Sequence, residues 1–63
     1  MYTLKEIVDL VTFLGDDMND VQAEKIGDMA RTLNEFDIYE LERVANGTLY
    51  YILRQICAEK RWM

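Results

Sequence analysis

Residues 37–61, DIYELERVANGTLYYILRQICAEKR, decide the fold. Apolar residues at Ile38, Leu41, Ala45, Leu49, Ile52, Leu53 and Ile56 keep one helical register, with no phase shift across Gly47. Asp37 followed by Glu40 has the spacing of a capping box, and Phe36 with Leu41 occupies the positions of a hydrophobic staple. The pattern predicts one long helix over about residues 38–61. Asn46-Gly47 is its weak point, because glycine costs about 1 kcal/mol against alanine inside a helix. The alternative is a kink or break at Gly47, with Thr48 capping a fourth helix.

Two shorter helices precede it. Thr3 and Glu6 form a capping box, the apolar stripe Leu4, Ile7, Val8, Val11 and Leu14 follows, and Gly15 stands where a left-handed C-cap belongs. Helix 1 is predicted over about 4–14. Asn19 with Gln22 makes a second box, with Met18 and Ala23 as its staple, and opens a helix over about 20–33. Its inward residues are Val21, Ile26, Met29, Ala30 and Leu33. The expected architecture is all-α, a small three-helix bundle forming a single helical domain over 1–63. An unbroken third helix would reach about 36 Å, against about 16 Å and 21 Å for the others. Its C-terminal turns, with Ile56, Cys57, Trp62 and Met63, would then project into water unless self-association completed the fold.

Composition bounds the remaining choices. A 63-residue chain buries only about 60% of its unfolded surface, so its stability margin is narrow. One cysteine and no histidine exclude an internal disulfide and a Cys/His metal cage. Half the residues are apolar, proline is absent and the net charge is −5, which suits a folded helical chain. No apolar run approaches the roughly 18 residues that span a membrane. The N-terminal MYTLKEIVDL lacks the basic, apolar and cleavage regions of a signal peptide. With a lone free thiol, these features point to a cytoplasmic protein.

Chemistry is thinly represented. Without histidine or serine, a Ser/His or Cys/His nucleophile pair cannot be assembled. Glycines at 15, 27 and 47 are too far apart for a phosphate-cradling loop. The expectation is no enzyme, no catalytic residue, no metal and no cofactor. Asp16-Asp17-Met18-Asn19-Asp20 invites a calcium-loop reading, but starting at Asp17 puts Val21 and Gln22 where a ligand and a glycine are required. A helix-turn-helix over Asn19–Ile38 fails at Asp28, which stands where an apolar residue should follow Gly27. An acidic pI near 4.4 also argues against direct nucleic-acid binding.

What remains points to protein partners. On a continuous third helix, Arg43, Arg54 and Arg61 fall in one row within about 20° of one another. Tyr39 and Tyr50 each stand four residues before one of these arginines. Tyrosine and arginine are enriched at binding hot spots, so these five residues are the candidate partner-binding set. A solvated face with arginines lying over tyrosines is the competing account. Val44, Tyr51 and Trp62 form a second row off the core axis, and Leu10 and Phe13 lie off the inward stripe of helix 1. Those five are the candidate self-association set. Residues 1–42 carry −8 and residues 43–63 carry +3, an asymmetry that favours head-to-tail or antiparallel self-association. The expected function is a small acidic interaction module, a homodimer that regulates, inhibits or adapts a larger partner protein. The alternatives are a nucleic-acid-associated regulator whose dimer presents an arginine row, and a structural subunit of a larger assembly.

Overall fold

A computed structural model describes residues 2–62. It is all-helical among those residues, with α1 over Leu4–Leu14, α2 over Asp20–Ala30, α3 over Glu35–Glu42 and α4 over Gly47–Glu59. A single 3-10 turn at Gly15–Asp17 joins α1 to α2. α1 and α4 each pack against both α2 and α3, so α1 and α4 lie on a diagonal, and the α2–α4 contact is the most extensive.

Of the two capping boxes expected at the first two helices, that of α2 is complete and that of α1 is half-formed, since Glu6 accepts from the Thr3 hydroxyl and not from the Thr3 N–H. Thr3 Oγ1 accepts the Glu6 N–H at 3.2 Å, and Asn19 and Gln22 close both arms of a capping box at 2.8 and 3.0 Å. Gly15 ends α1 at φ 58° and ψ −145°, so it is not the left-handed helical cap expected; that region is essentially reserved to glycine and costs other residues about 1–3 kcal/mol.

Four helices replace the expected three. The long helix over 38–61 is divided at Arg43–Asn46, because Gly47 takes φ 59°, which no right-handed helix passes through. The apolar register survives the break because the hairpin returns the same stripe to the same core. Ile38 and Leu41 on α3, and Leu49, Leu53, Ile56 and Cys57 on α4, are all buried. Thr48 does not cap α4; its hydroxyl donates to Asp20 at 3.0 Å instead. The break also removes the projecting end. At 13 residues α4 is about 20 Å long, comparable to its neighbours. Ile56 and Cys57 are buried and Trp62 is half-buried against the core, while Met63 lies outside the described residues.

Three smaller corrections concern helix ends and facing. α3 starts earlier than expected, because Asn34, not Asp37, is its cap and accepts the Asp37 N–H at 2.8 Å. α2 stops at Ala30, three residues short of Leu33. Thr32 donates its hydroxyl to the Met29 carbonyl, and Asn34 must be extended to cap α3, so the helix cannot continue. Val21, expected inward, is 63% exposed, because Ala23, Ile26 and Ala30 define a stripe on the other side of α2.

Twelve of the described residues form one apolar cluster, and none of the described polar or charged residues is buried. The core therefore closes within one chain. The accessible surface of 4360 Å² is close to the ~4,250 Å² that size scaling gives a compact monomer of 7.5 kDa. At the α2–α4 crossing the helices approach so closely that a Cβ on Gly27 would stand 2.6 Å from Ile52 Cγ2.

Candidate interaction surface

Antiparallel packing gives the bundle two unlike ends. One gathers the start of α3 and the ends of α2 and α4, and it is tied down. Arg31 pairs with Glu59 through both guanidinium nitrogens, the second at 3.4 Å, and Lys60 Nζ donates to the Arg31 carbonyl at 3.2 Å. Beyond α4 the chain forms a Schellman turn. The Trp62 N–H returns to the Cys57 carbonyl at 2.9 Å and the Arg61 N–H to the Ala58 carbonyl at 3.1 Å. The Tyr39 hydroxyl sits 2.6 Å from the Trp62 carbonyl and 3.2 Å from Glu35 Oε1. Lys60 Nζ lies 5.4 Å from the centre of the Trp62 ring.

These contacts displace the titrations of the groups that make them. The hydrogen bond from Arg31 holds Glu59 below the usual carboxylate range, and the same bond raises Arg31. Burial raises the Tyr39 hydroxyl, and the Glu35 hydrogen bond adds to it. Nearby on the α3–α4 seam, burial pushes the Cys57 thiol up, and its hydrogen bond to Glu42 at 3.4 Å pushes further. Glu42 also stands 3.6 Å from Arg54.

The other end gathers the end of α1, the start of α2 and the α3–α4 turn around a groove of about 330 Å³. Val11, Met18, Ala23 and Leu49 are among its lining residues, and Thr12, Gly15, Val44, Asn46, Gly47 and Thr48 complete it. Gly15 and Gly47 stand at its lips, and nothing lies within 4 Å of where either would carry a Cβ. Phe13, next in the chain to Thr12, is 84% exposed, and Tyr51, one turn along α4 from Gly47, is 65% exposed.

The expected partner-binding residues are redistributed. Arg43 caps the end of α3 and pairs with Glu40 at 3.9 Å; Arg54 turns to Glu42; Arg61 lies past the end of α4 with φ 59°. The straight row of three arginines therefore does not form. Nor do the tyrosines pair with arginines as four-residue spacing suggests, since Arg43 and Arg54 both turn to carboxylates. Tyr39 anchors Trp62, and Tyr50 remains exposed on α4. Of the expected self-association residues, Val44 lines the groove, while Phe13 on α1 and Tyr51 on α4 are exposed outside its lining. Leu10 is half-buried on α1, and Trp62 is packed on the core at the opposite end. Phe36, expected to pack on Leu41 as a staple, is 70% exposed on α3, while Leu41 is buried.

No protein-family model, curated protein or solved structure matches the chain. No helix among the described residues is long and apolar enough to cross a membrane. Among the same residues, no group of three or more His, Cys, Asp or Glu side chains is placed to hold a metal ion.

Proposed function

We propose that the protein is a small helical interaction module that regulates or adapts a larger protein partner. One observation carries this reading: the core closes without Phe13, Phe36 and Tyr51, which stay 84%, 70% and 65% exposed. Large aromatic side chains that the fold does not use are the raw material of binding hot spots. Phe36 and Tyr50 are exposed on α3 and α4, and the same two-helix hairpin carries Arg43 and Arg54, which adds positive charge to an otherwise acidic molecule. That combination suits a partner surface with an apolar pocket rimmed by carboxylates.

The test is affinity capture from cell extract with the wild-type chain, Phe36→Ser and Tyr50→Ser, all first checked for unchanged helicity. A defined partner retained by wild type and lost with Phe36→Ser is the expected result. Identical recoveries with all three chains would remove the hairpin face from the interaction.

A further inference from the structure

We propose that the α3–α4 turn is a hinge through which two copies exchange α4, giving a domain-swapped dimer in which residues 35–59 run as one helix. The exchange uses none of the exposed side chains Phe13, Phe36 and Tyr51, so it stands or falls apart from the interaction reading.

The first support is a phase relation that a hairpin does not require, since a turn can present its second helix at any rotation. Ile38 and Leu41 on α3, and Leu49, Leu53 and Ile56 on α4, are all buried. On a straight helix they fall within an arc of about 120°, at about 100° per residue. Opened at the hinge, the chain therefore keeps both buried halves on one face, as two cores lying side by side along it demand. Each α4 then fills the seat that the other copy's α4 has left. Leu49, Leu53, Ile56 and Cys57 are buried as before, now between chains, so the contact is a whole core seam. Exchange of an identical element is a low-cost route to a dimer, because the contacts outside the hinge are all remade.

The second support is the way α4 begins. The three earlier helices each open with a side-chain cap and an acid in the first turn: Thr3 and Glu6, Asn19 and Asp20, Asn34 and Glu35. α4 has neither. Its first backbone bond, from the Tyr50 N–H to the Asn46 carbonyl, is long at 3.5 Å. Straightening would offer the N–H groups of residues 46–49 the carbonyls of residues 42–45, serving donors that no cap serves. The hinge is also short, which favours exchange. What holds the turn closed is Gly47 at φ 59°, and nothing lies within 4 Å of where its Cβ would stand. Alanine there strains the backbone and clashes with nothing.

Sedimentation equilibrium of the full chain, refolded from urea at micromolar and at millimolar concentration, tests this beside variants of opposite sign. Gly47→Ala penalises the closed turn about tenfold per hinge, so with two hinges it should tighten the dimer about a hundredfold. Thr48→Pro is tolerated in the first turn of α4 but breaks the straight helix, and should remove the dimer. Thr48→Ala, which also loses the hydrogen bond to Asp20, is its control and should dimerise like wild type. Exchange itself is read by charge complementation in the Gly47→Ala background. Arg31 pairs with Glu59 within the closed chain, and would pair across chains in the swapped dimer. Chains with Arg31→Glu and chains with Glu59→Arg, unfolded together and refolded, should yield heterodimer above the statistical half of all dimers in native mass spectrometry. Only the heterodimer sets opposite charges together at both sites. Circular dichroism checks that each variant folds; if Gly47→Ala does not, wild type at millimolar concentration carries the same charge test. Chains that stay monomeric throughout overturn the proposal, as does a dimer that survives Thr48→Pro or a statistical mixture of charge variants.

Discussion

The two ends of this bundle are made from the same four helices and differ in how many polar links tie them down. At the tied end, Arg31–Glu59, Lys60 to the Arg31 carbonyl and Tyr39 to the Trp62 carbonyl join residues more than twenty positions apart. At the grooved end, the comparable long-range polar link among the described residues is Thr48 to Asp20; exposed aromatic surface occurs at both ends, with Phe13 at this one and Phe36 at the tied one. A 63-residue chain has few interactions to spare. Concentrating them at one end makes that end the structural anchor and leaves the other with fewer polar links between distant parts of the chain.

The largest test of this contrast deletes one apolar side chain at each end. Ile38, in the first turn of α3 at the tied end, is fully buried. Ile38→Ala should cost about 2–5 kcal/mol, through lost transfer energy and the cavity left behind. Phe13→Ala should change stability by no more than about 0.5 kcal/mol, as expected of an exposed site. Urea unfolding of both variants at one fixed chain concentration compares the two. Similar losses would mean that Phe13 packs in the folded monomer and that the ends are not specialised.

How far such an asymmetry can be read from sequence depends on the range of the contacts involved. The caps at Thr3 and Asn19 are legible because donor and acceptor lie three residues apart. The α3 cap is ambiguous for the same reason: Asn34-x-x-Asp37 and Asp37-x-x-Glu40 are equally good local signals, and tertiary packing selects the first. Gly47 is visible as a weak point, yet the apolar register stays in phase across it. A hairpin that folds back onto one core and a helix that runs straight on place the same residues inward. Phe13, Val44 and Tyr51 are identifiable as off-stripe residues from helical geometry alone. That Trp62 belongs to the core depends on the Schellman turn and on Tyr39, twenty-three residues away, and no local pattern announces either.

A medium-sized test exploits the left-handed residues at the two ends. Gly47 at the groove and Arg61 beyond α4 have almost the same φ, 59° in each case, but only one is glycine. Gly47→Ala should destabilise by about 1–2 kcal/mol, the cost of placing a Cβ in that conformation. Arg61→Gly should stabilise by a smaller amount, ~0.5–1 kcal/mol, because arginine already bears that cost while its charge at the helix C-terminus offsets part of it. Thermal unfolding of both variants gives the signs directly. A destabilised Arg61→Gly would show that the arginine side chain contributes more to the tied end than its backbone strain takes away.

The smallest effect expected is pH dependence on the alkaline side, and it too belongs to the tied half of the molecule. Cys57 has a raised folded-state pKa, first because it is buried and second because Glu42 accepts its proton. The unfolded chain therefore releases this proton at lower pH than the folded one. The stabilisation linked to Cys57 is fully present below the ordinary thiol range, declines as pH rises through it, and is lost once pH passes the raised folded value. Tyr39 shifts the same way for a similar reason and extends the decline to higher pH. Urea midpoints measured from neutral to alkaline pH should fall, and Cys57→Ala should flatten the earlier part of that fall even though it lowers stability at neutral pH by removing buried volume. The later part should survive in Cys57→Ala and shrink in Tyr39→Phe, which also frees the Trp62 carbonyl and loosens the tail. If both variants kept the full wild-type slope, the alkaline sensitivity would arise elsewhere, and the tied end would owe its order to packing and ion pairs without help from these two protons.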